Sequence, residues 1–266
     1  MAKTQTPNRY SQILERIFAA HYERGSDGFV FERAEIEPVA AELGIKLPKN
    51  LGDILYSFRY RAPLPVSIVS TAPPGRMWII YPAGTARYRF KLVADWLPVP
   101  RGGLEAIKVP NATPGVIEKY RLSDEQGLLA RVRYNRLVDL FTGLTCYSLQ
   151  NHLRTTVKEL GQVETDEIYI GIDRRGAHYV IPVQAKGGKD TLSVVQIGQD
   201  FALAAERFPE LICRPLGAQF MDKGVIALLE FTEGADGIVI RQEAHYLLVP
   251  PEELTPEDLA RYRSVT

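Results

Sequence analysis

The spacing of apolar residues along this chain changes near residue 63. Before that point apolar positions lie three and four residues apart, which is the period of an amphipathic helix. This pattern predicts helices over 8–24, 34–43 and 49–61, with a short extended piece at 29–32. Beyond it apolar and polar residues alternate, and this period of two predicts strands at 66–70, 76–82 and 86–93. The first third of the chain is therefore expected to be three helices followed by a strand hairpin.

A second region begins after a segment rich in proline and glycine. That segment, 96–115, is predicted to be a linker. A helix is predicted over 123–141, where Ser123 and Gln126 have the spacing of a capping box. The remaining elements are predicted as a strand at 144–157, two strands within 164–186, a helix at 192–207, strands at 211–220, 224–232 and 237–250, and a terminal helix after Thr255. Strands on both sides of a helix predict a mixed α/β (α+β) core over 116–266.

The stretch 164–186 carries the candidate chemistry. It is predicted to form two strands joined by a turn at 173–176. Because successive side chains of a strand point to opposite faces, Gln184 and Lys186 share a face near the end of a mostly apolar strand. In an antiparallel hairpin Asp166, near the start of the preceding strand, comes close to them. A carboxylate, a carbonyl oxygen and an ammonium at one sheet edge suit a hydrated Mg²⁺ ion and a phosphate.

Asp166, the hairpin turn and Gln184-Ala185-Lys186 together resemble the core motif of the PD-(D/E)xK nucleases, a family that includes many restriction endonucleases. The helix predicted soon after the lysine has the place of that family's core helix, and the resemblance covers residues 120–231. It implies a mixed β-sheet core flanked by helices. Two positions depart from the family pattern: Thr165 replaces the usual proline, and Gln184 replaces the second carboxylate.

The resemblance also implies roles for these side chains. Asp166, Gln184 and the backbone carbonyl of Ala185 are the expected ligands of Mg²⁺. Lys186 either orients the attacking water or holds the scissile phosphate. The metal would lower the pKa of a bound water and polarise the phosphate.

The missing second carboxylate suggests that a further acid lies nearby. Glu164, two residues before Asp166, is expected on the same strand face, and Glu125 lies on the predicted helix over 123–141. The sequence leaves the choice between them open. The alternative for Glu125 is a first-turn acid favoured by the helix dipole. The alternative for Asp166 and Lys186 is a surface ion pair.

Positive charge is concentrated in one part of a chain whose formal net charge is zero. From Lys46 to Lys91 there are eight basic residues and a single acid, Asp53, and such a local field attracts phosphate. Three helices and a hairpin resemble a winged-helix module, in which the third helix enters the major groove and the wing touches the DNA backbone. Residues 1–95 are therefore expected to form a winged-helix-like, DNA-binding domain. Its candidate contacts are Lys49, Asn50, Arg59, Arg61, Arg76, Arg87 and Arg89, joined by Gln196 and Gln199 from the second region.

Other chemistries have no motif in this sequence. It contains no phosphate-cradling GxxxxGK[ST] loop, no GxSxG elbow, no HExxH motif and no CxxC pair. Cys146 and Cys213 lie in apolar, strand-like runs and are expected to be free thiols. The N-terminus has no apolar signal core, so a cytoplasmic location is expected.

These patterns lead to the expectation of a Mg²⁺-dependent endonuclease that cuts double-stranded DNA at a specific sequence, of the type II restriction class. A homodimer is a further expectation, since two strands are cut and dimers are frequent among similar enzymes. Two alternatives stay open. The chain is a DNA-binding regulator or nuclease-like protein without catalysis, for which Gln184 is the best support, or a DNA-repair or junction nuclease that recognises structure instead of sequence.

Overall fold

The computed structural model describes residues 9–95, 98–120, 124–187, 190–234 and 237–264. The chain divides into two compact units. Unit 1 comprises Met1–Trp96 with Thr156–Gln162, and unit 2 comprises Leu97–Thr155 with Val163–Thr266. Both units combine helices with β-sheet, so the mixed α+β class expected from the sequence is observed. None of the helices in the described ranges is long and apolar enough to cross a membrane.

Unit 1 packs short helices against a three-stranded sheet. Its elements are α1 (Ser11–His21), β1 (Gly28–Glu32), a 3-10 turn (Arg33–Glu35), α2 (Ile36–Leu43), α3 (Gly52–Tyr60), α4 (Val66–Val69), β2 (Arg76–Pro82) and β3 (Arg87–Ala94). Strand β3 lies in the middle of the sheet and pairs antiparallel with β1 and β2. The order is therefore helix, strand, three helices and two strands.

The core of unit 1 collects the apolar stripe that the helical spacing predicts. Four residues of α1 are buried: Ile13, Leu14, Ile17 and Phe18. Phe18 meets Trp78 of β2 and Phe90 of β3 edge to face, with ring centroids 5.2 and 5.1 Å apart. Such pairs stabilise a core beyond the burial of their area. Gly44 ends α2 in the left-handed conformation with φ 66°, as the sequence predicts.

Residues 66–70, predicted as a strand, form the helical turn α4 instead. The carbonyl of Pro65 accepts hydrogen bonds from the N–H groups of Ile68 and Val69. The turn buries Ile68 and leaves Val66 and Val69 exposed. The β-branched run misled the sequence prediction, because strand propensity expresses packing on a sheet, and here the packing requires only that Ile68 reach the core.

Among the described residues, unit 2 is built on an eight-stranded, curled, mixed sheet. In chain order its elements are β4 (Ile107–Pro110), α5 (Gly115–Tyr120), α6 (Glu125–Tyr134), α7 (Leu137–Thr142), β5 (Thr145–Val157), β6 (Gly161–Ile172), β7 (His178–Lys186), α8 (Val194–Arg207), β8 (Ile212–Cys213), β9 (Leu216–Phe220), β10 (Val225–Gly234), β11 (Gly237–Val249) and α9 (Pro256–Arg263), with 3-10 turns at Asp222–Gly224 and Pro251–Glu253. The strand order is β4-β11-β10-β9-β7-β6-β5, with β8 beside β7. Strand β7 pairs antiparallel with β6 and parallel with β8 and β9.

Different elements cover the two faces of this sheet. Leu216 and Ala218 of β9 belong to a core that includes the buried residues of α6 and α7. A side chain on Gly217, between them, would meet Leu192 Cδ1 at 2.3 Å. Because neighbours in a strand point to opposite faces, α6 and α7 cover one face of β9 and the segment leading into α8 covers the other.

The helix predicted over 123–141 is two helices. Ser123 lies outside the described residues, and Asp124 caps α6 by accepting a hydrogen bond from Gly127 N at 2.9 Å. Helix α6 ends at Asn135, a buried residue whose side-chain amide makes three hydrogen bonds. Arg136 then takes the left-handed conformation, with φ 50°. The polar anchor at Asn135 and the reversal at Arg136 explain the break.

Two other boundaries differ from the sequence prediction. The segment predicted as a linker, 96–115, contributes β4, which pairs parallel with β11. The strand predicted over 211–220 is interrupted at Pro215, which has no N–H to donate, and both halves pair with β7.

The terminal helix is confirmed: Thr255 and Asp258 form a capping box at the start of α9. Cys146 and Cys213 are free thiols, as predicted.

Candidate functional site

The β6–β7 hairpin supports the candidate site. Its turn is held by Asp173, whose Oδ1 accepts two backbone hydrogen bonds at 2.8 and 2.9 Å, and by Gly176 with φ 83°. This turn is confirmed where the sequence predicts it. Antiparallel pairing between the strands ends at Glu167 opposite Val183. The open end of the hairpin lies on the side of that pair away from the turn, at Asp166 of β6 and Gln184 of β7.

Asp166 closes the open end with its side chain. Its Oδ2 accepts a hydrogen bond from the backbone N–H of Ala185 at 2.8 Å, beyond the last regular pair of the ladder. Burial raises the pKa of the Asp166 carboxyl, and the negative charges of Glu125 and Glu164 raise it further. The N–H of Ala185 and the positive charge of Lys186 act in the opposite direction. One amine and two further acids therefore lie within electrostatic reach of Asp166.

Lys186 is half-buried beside Asp166. No hydrogen bond or ion pair of its side chain joins it to another residue in the described ranges. In the sheet it lies opposite Gln219 of the parallel strand β9. Its charge lowers the pKa of Asp166 and of Asp200. An ammonium whose donors are unused is available to an anionic ligand.

The two candidate acids near Asp166 have different surroundings. Glu164 Oε2 accepts two hydrogen bonds from Arg154 of β5, at 3.2 and 2.8 Å, and His152 lies 3.4 Å from its other oxygen. Glu125, in the first turn of α6, is half-buried and has no such partner in the described part of the chain. Of the two acids, Glu125 is therefore the one left available to share a cation with Asp166.

The side chain of Gln184 is hydrogen-bonded to residues of α8. It is 1% exposed. Its Nε2 donates to Oδ1 and Oδ2 of Asp200 at 3.1 and 3.0 Å and to the backbone oxygen of Glu164 at 3.1 Å. Its Oε1 accepts from Gln196 Nε2 at 3.3 Å. Since both polar atoms of the amide already have protein partners, these contacts do not support the metal-ligand role expected for Gln184.

Asp200 is the site residue that the sequence analysis missed. It is fully buried on α8 and accepts hydrogen bonds from Gln184 and from Thr165 Oγ1. Burial raises the pKa of its carboxyl to about 7, although both hydrogen bonds lower it. A signal was present in the sequence, because Asp200 interrupts the buried stripe of an amphipathic helix. An acid is rare in that position and often marks a functional site. The apolar residues of the stripe are Val195, Ile197, Leu203 and Ala204.

Three glutamines complete the surroundings. Gln196 contacts Gln184, as described above. Gln199 is 3% exposed, so the DNA contact expected for it is corrected: its side chain lies in the interior. Gln219 was also missed by the sequence analysis. Its Nε2 donates to the backbone oxygen of Asp190 at 3.1 Å, and its buried Oε1 has no hydrogen-bond partner among the residues that the structure describes.

Only a sparse set of acids is available for a metal ion. The described residues contain no group of three or more His, Cys, Asp or Glu side chains that could hold one. Mg²⁺ does not require such a group, because it keeps several waters and is often bound by one or two carboxylates together with substrate phosphates. Oδ1 of Asp166 is not used in the bond to Ala185. Asp166 and Glu125 together therefore fit a hydrated Mg²⁺ ion. We call Asp166, Lys186 and Glu125 the hairpin site.

The expected DNA contacts of α3 are only partly available. Lys49 is exposed. Arg59 lies over the ring of Tyr60 and Arg61 over that of Tyr56, at 4.7 and 5.1 Å from the ring centroids. Asn50 is used locally, because its side chain bonds the N–H of Gly52 and the carboxylate of Asp53 at the start of the helix. The second half of α3 therefore presents arginines stacked on aromatic rings.

The expected contacts of the strand hairpin in unit 1 lie at its two ends. Arg87 and Arg89 are exposed near the β2–β3 turn. Arg76 is paired opposite Ala94 at the other end, and its guanidinium donates to the backbone oxygen of Leu92 at 3.0 Å. Six residues of strand, about 20 Å, separate Arg76 from the turn. Arg76 is thus apart from the other two arginines.

Comparison with known proteins assigns no family. No family model, no curated protein and no solved structure matches this chain. Its function is therefore argued from its own residues, namely the hairpin site in unit 2 and the basic surface in unit 1.

Proposed function

We propose that this protein is a Mg²⁺-dependent endonuclease that hydrolyses phosphodiester bonds of double-stranded DNA at a specific sequence. Unit 2 would supply a PD-(D/E)xK-like core and unit 1 a winged-helix-like reader. The observation that carries the proposal is the hydrogen bond at 2.8 Å from Ala185 N to the carboxylate of Asp166, which holds that carboxylate next to the residue before Lys186 and within reach of its charge. Helix α8 then follows the lysine, as the resemblance to that family implies.

The chemistry follows from the charges of the substrate. A phosphodiester is anionic and repels nucleophiles. Bound Mg²⁺ supplies a water of lowered pKa and polarises the phosphate. Asp166, through Oδ1, and Glu125 would hold the ion, with the carbonyl of Ala185 as a further oxygen. Lys186 donates to a phosphate oxygen and offsets the negative charge that develops in the transition state.

The arrangement of unit 1 supports a DNA-reading role. Its order of helix, strand, three helices and two strands contains the helices and hairpin of a winged-helix module. Arg61, at the end of α3, is exposed, and arginine reads guanine bidentately in the major groove. Arg87 and Arg89 are exposed near the turn of the hairpin, where a wing would touch phosphates.

Plasmid cleavage tests the proposal. With Mg²⁺ the protein should convert plasmid into discrete fragments. The Lys186→Ala variant should lose this activity by about 100-fold or more and still shift duplex DNA in a gel. Lys119→Ala, which removes an exposed lysine of α5, is the matched control and should cut normally. Normal cutting by Lys186→Ala would remove the hairpin site from the mechanism.

A second candidate function is DNA binding without catalysis. It is favoured by Gln184, which stands where the family pattern has a metal-binding carboxylate and is bonded to Asp200 instead. In that case the protein shifts duplex DNA but gives no fragments with Mg²⁺ or Mn²⁺ at any concentration.

A preference for branched over linear duplex would instead identify a junction or repair nuclease. Sedimentation of the protein with a cognate duplex tests the proposed homodimer.

A further inference from the structure

Behind the hairpin site lies a buried pair made of one amide and one carboxylate. Gln184 is 1% and Asp200 0% exposed. The amide of Gln184 lies within 3.1 Å of both oxygens of Asp200. A buried carboxylate is costly unless it is paired or hydrogen-bonded. Asp200 meets this condition through its bonds to Gln184 and Thr165.

The hydrogen bonds of Asp200 reach both strands of the hairpin. Through Gln184 they hold β7 two residues before Lys186. Through Thr165 they hold β6 one residue before Asp166. Gln184 adds a third link, because its Nε2 also donates to the backbone oxygen of Glu164. The ends of both strands are thus tied to one side chain of α8, next to the residues that would meet the substrate.

The charge of Asp200 also reaches the hairpin site. It interacts with the charges of Asp166 and Lys186. In the family pattern, the position of Gln184 on β7 carries a carboxylate. In this chain that position is an uncharged amide, and the negative charge belongs to Asp200 of α8, to which the amide of Gln184 donates a hydrogen bond. A charged group that holds the residues next to a metal ligand helps to fix the position of that ligand and tunes its affinity for the metal.

We infer that Asp200 is a positioning residue of the hairpin site, which holds the ends of β6 and β7 around Asp166 and supplies from α8 the negative charge that position 184 lacks. This inference rests on the proposed metal-dependent function. It also explains why position 184 is an amide. A glutamate there would place two carboxylates about 3 Å apart, and two such groups cannot both ionise.

The pair allows a reciprocal exchange. Gln184→Glu combined with Asp200→Asn keeps one amide, one carboxylate and nearly the same volumes, and moves the charge from α8 to β7. Asp200→Asn alone removes the charge. Asparagine still fills the space and its Oδ1 can still accept from Thr165, while its Nδ2 takes the place of one of the two oxygens to which Gln184 donates. Asp222→Asn, at an exposed position, is the control for loss of one negative charge.

The test is calorimetric titration of the chain with Mn²⁺ at about pH 8, above the pKa of about 7 of the Asp200 carboxyl, in the absence of DNA and together with thermal unfolding. Asp200→Asn should weaken Mn²⁺ binding by about tenfold or more, and the double variant should recover most of that loss. Asp222→Asn should bind as the wild type does. A purely structural Asp200 would change thermal unfolding and leave Mn²⁺ affinity unchanged, which overturns the inference.

Two further outcomes are decisive. If Asp200→Asn does not fold, the double variant decides alone: a folded double variant with restored Mn²⁺ binding supports the inference, and one that fails to fold or to bind overturns it. If the wild type binds Mn²⁺ and cuts DNA while Asp200→Asn binds equally well, only this inference fails. A wild type that neither binds Mn²⁺ nor cuts DNA overturns the proposed function and this inference with it.

Discussion

At the scale of single residues, the availability of an acid to a metal ion depends more on its surroundings than on its position in the sequence. Glu164, Glu125 and Asp166 are all carboxylates near one strand end. Glu164 is neutralised by Arg154 on the protein surface. Asp166 is bonded to a backbone N–H and lies within electrostatic reach of Lys186, whose amine has no partner among the described residues. Asp200, hidden in the core, has the largest share of buried surface among them.

The two acids near Asp166 should behave differently when neutralised. Glu125→Gln removes a carboxylate that has no partner among the described residues. It should weaken Mn²⁺ binding by about tenfold, as the loss of a group around a metal site does. Glu164→Gln is the matched control, because that carboxylate already pairs with Arg154, and it should have little effect. Titration calorimetry measures both. The reverse ranking would exclude Glu125 from the hairpin site.

The buried carboxyl of Asp200 should make stability depend on pH. Its pKa of about 7 in the folded protein is above the value of about 4 of an unfolded aspartate. The folded state therefore binds the proton more tightly, and this stabilisation is fully present below about pH 4 and lost as the pH rises through about 7.

A comparison with Asp200→Asn isolates this contribution. The free energy of unfolding of the wild type, minus that of the variant, should fall by about 2–3 kcal/mol between about pH 5 and about pH 8. Urea denaturation at both pH values measures it. A difference that is the same at both values would show that Asp200 does not change its protonation over this range.

At the scale of elements, the close approach of backbones sets what a position tolerates. Strands β1 and β3 meet at Gly28, where an added Cβ would lie 2.4 Å from the carbonyl oxygen of Phe90. A backbone atom cannot move aside as a flexible side chain can. The three-stranded sheet of unit 1 therefore depends on glycine at this position.

Gly28→Ala should destabilise unit 1 by about 1–3 kcal/mol, the usual cost of forcing extra atoms into a packed structure. Gly102→Ala is the matched control, since its added Cβ meets no atom within 4 Å, and it should change stability by less than about 0.5 kcal/mol. Urea denaturation compares the two variants. Equal stabilities would mean that β1 does not pair closely with β3.

At the scale of the whole molecule, charge is divided unevenly along a chain of zero net charge. The excess of arginine and lysine between Lys46 and Lys91 belongs to unit 1, and the hairpin site belongs to unit 2. Under the proposed function, DNA binding and DNA cutting therefore belong to different units. Variants of one unit should leave the function of the other intact.

The double variant Arg87→Ala, Arg89→Ala tests this division. It should weaken duplex binding and reduce the slope of log affinity against log salt concentration by about two, one for each lost phosphate contact. Mn²⁺ binding should stay unchanged. Arg16→Ala with Arg24→Ala removes two exposed charges elsewhere in unit 1 and serves as control. Equal salt slopes for both double variants would place the DNA contacts elsewhere.

Most elements could be predicted from the sequence because local patterns determine them. The periods of three to four and of two gave the helices and strands of both units, Gly44 and Thr255 gave a helix end and a helix start, and Asp173 with Gly176 gave the turn. The failures were at 66–70, 96–115, 123–141 and 211–220. In the first three, distant contacts decided the backbone, namely the burial of Ile68, the pairing of β4 with β11 and the buried amide of Asn135. At 211–220 the cause is local, because Pro215 has no N–H to donate.

For the site, the sequence by itself determined the hairpin and the two residues at its end, Asp166 and Lys186, because strand alternation and turn chemistry are local. Only the tertiary structure decided which other groups join them. It turned Gln184 toward Asp200, paired Glu164 with Arg154 and left Glu125 without a partner in the described part of the chain. These choices depend on how α6, α8 and β5 pack on the hairpin, and packing joins residues that are distant in the chain.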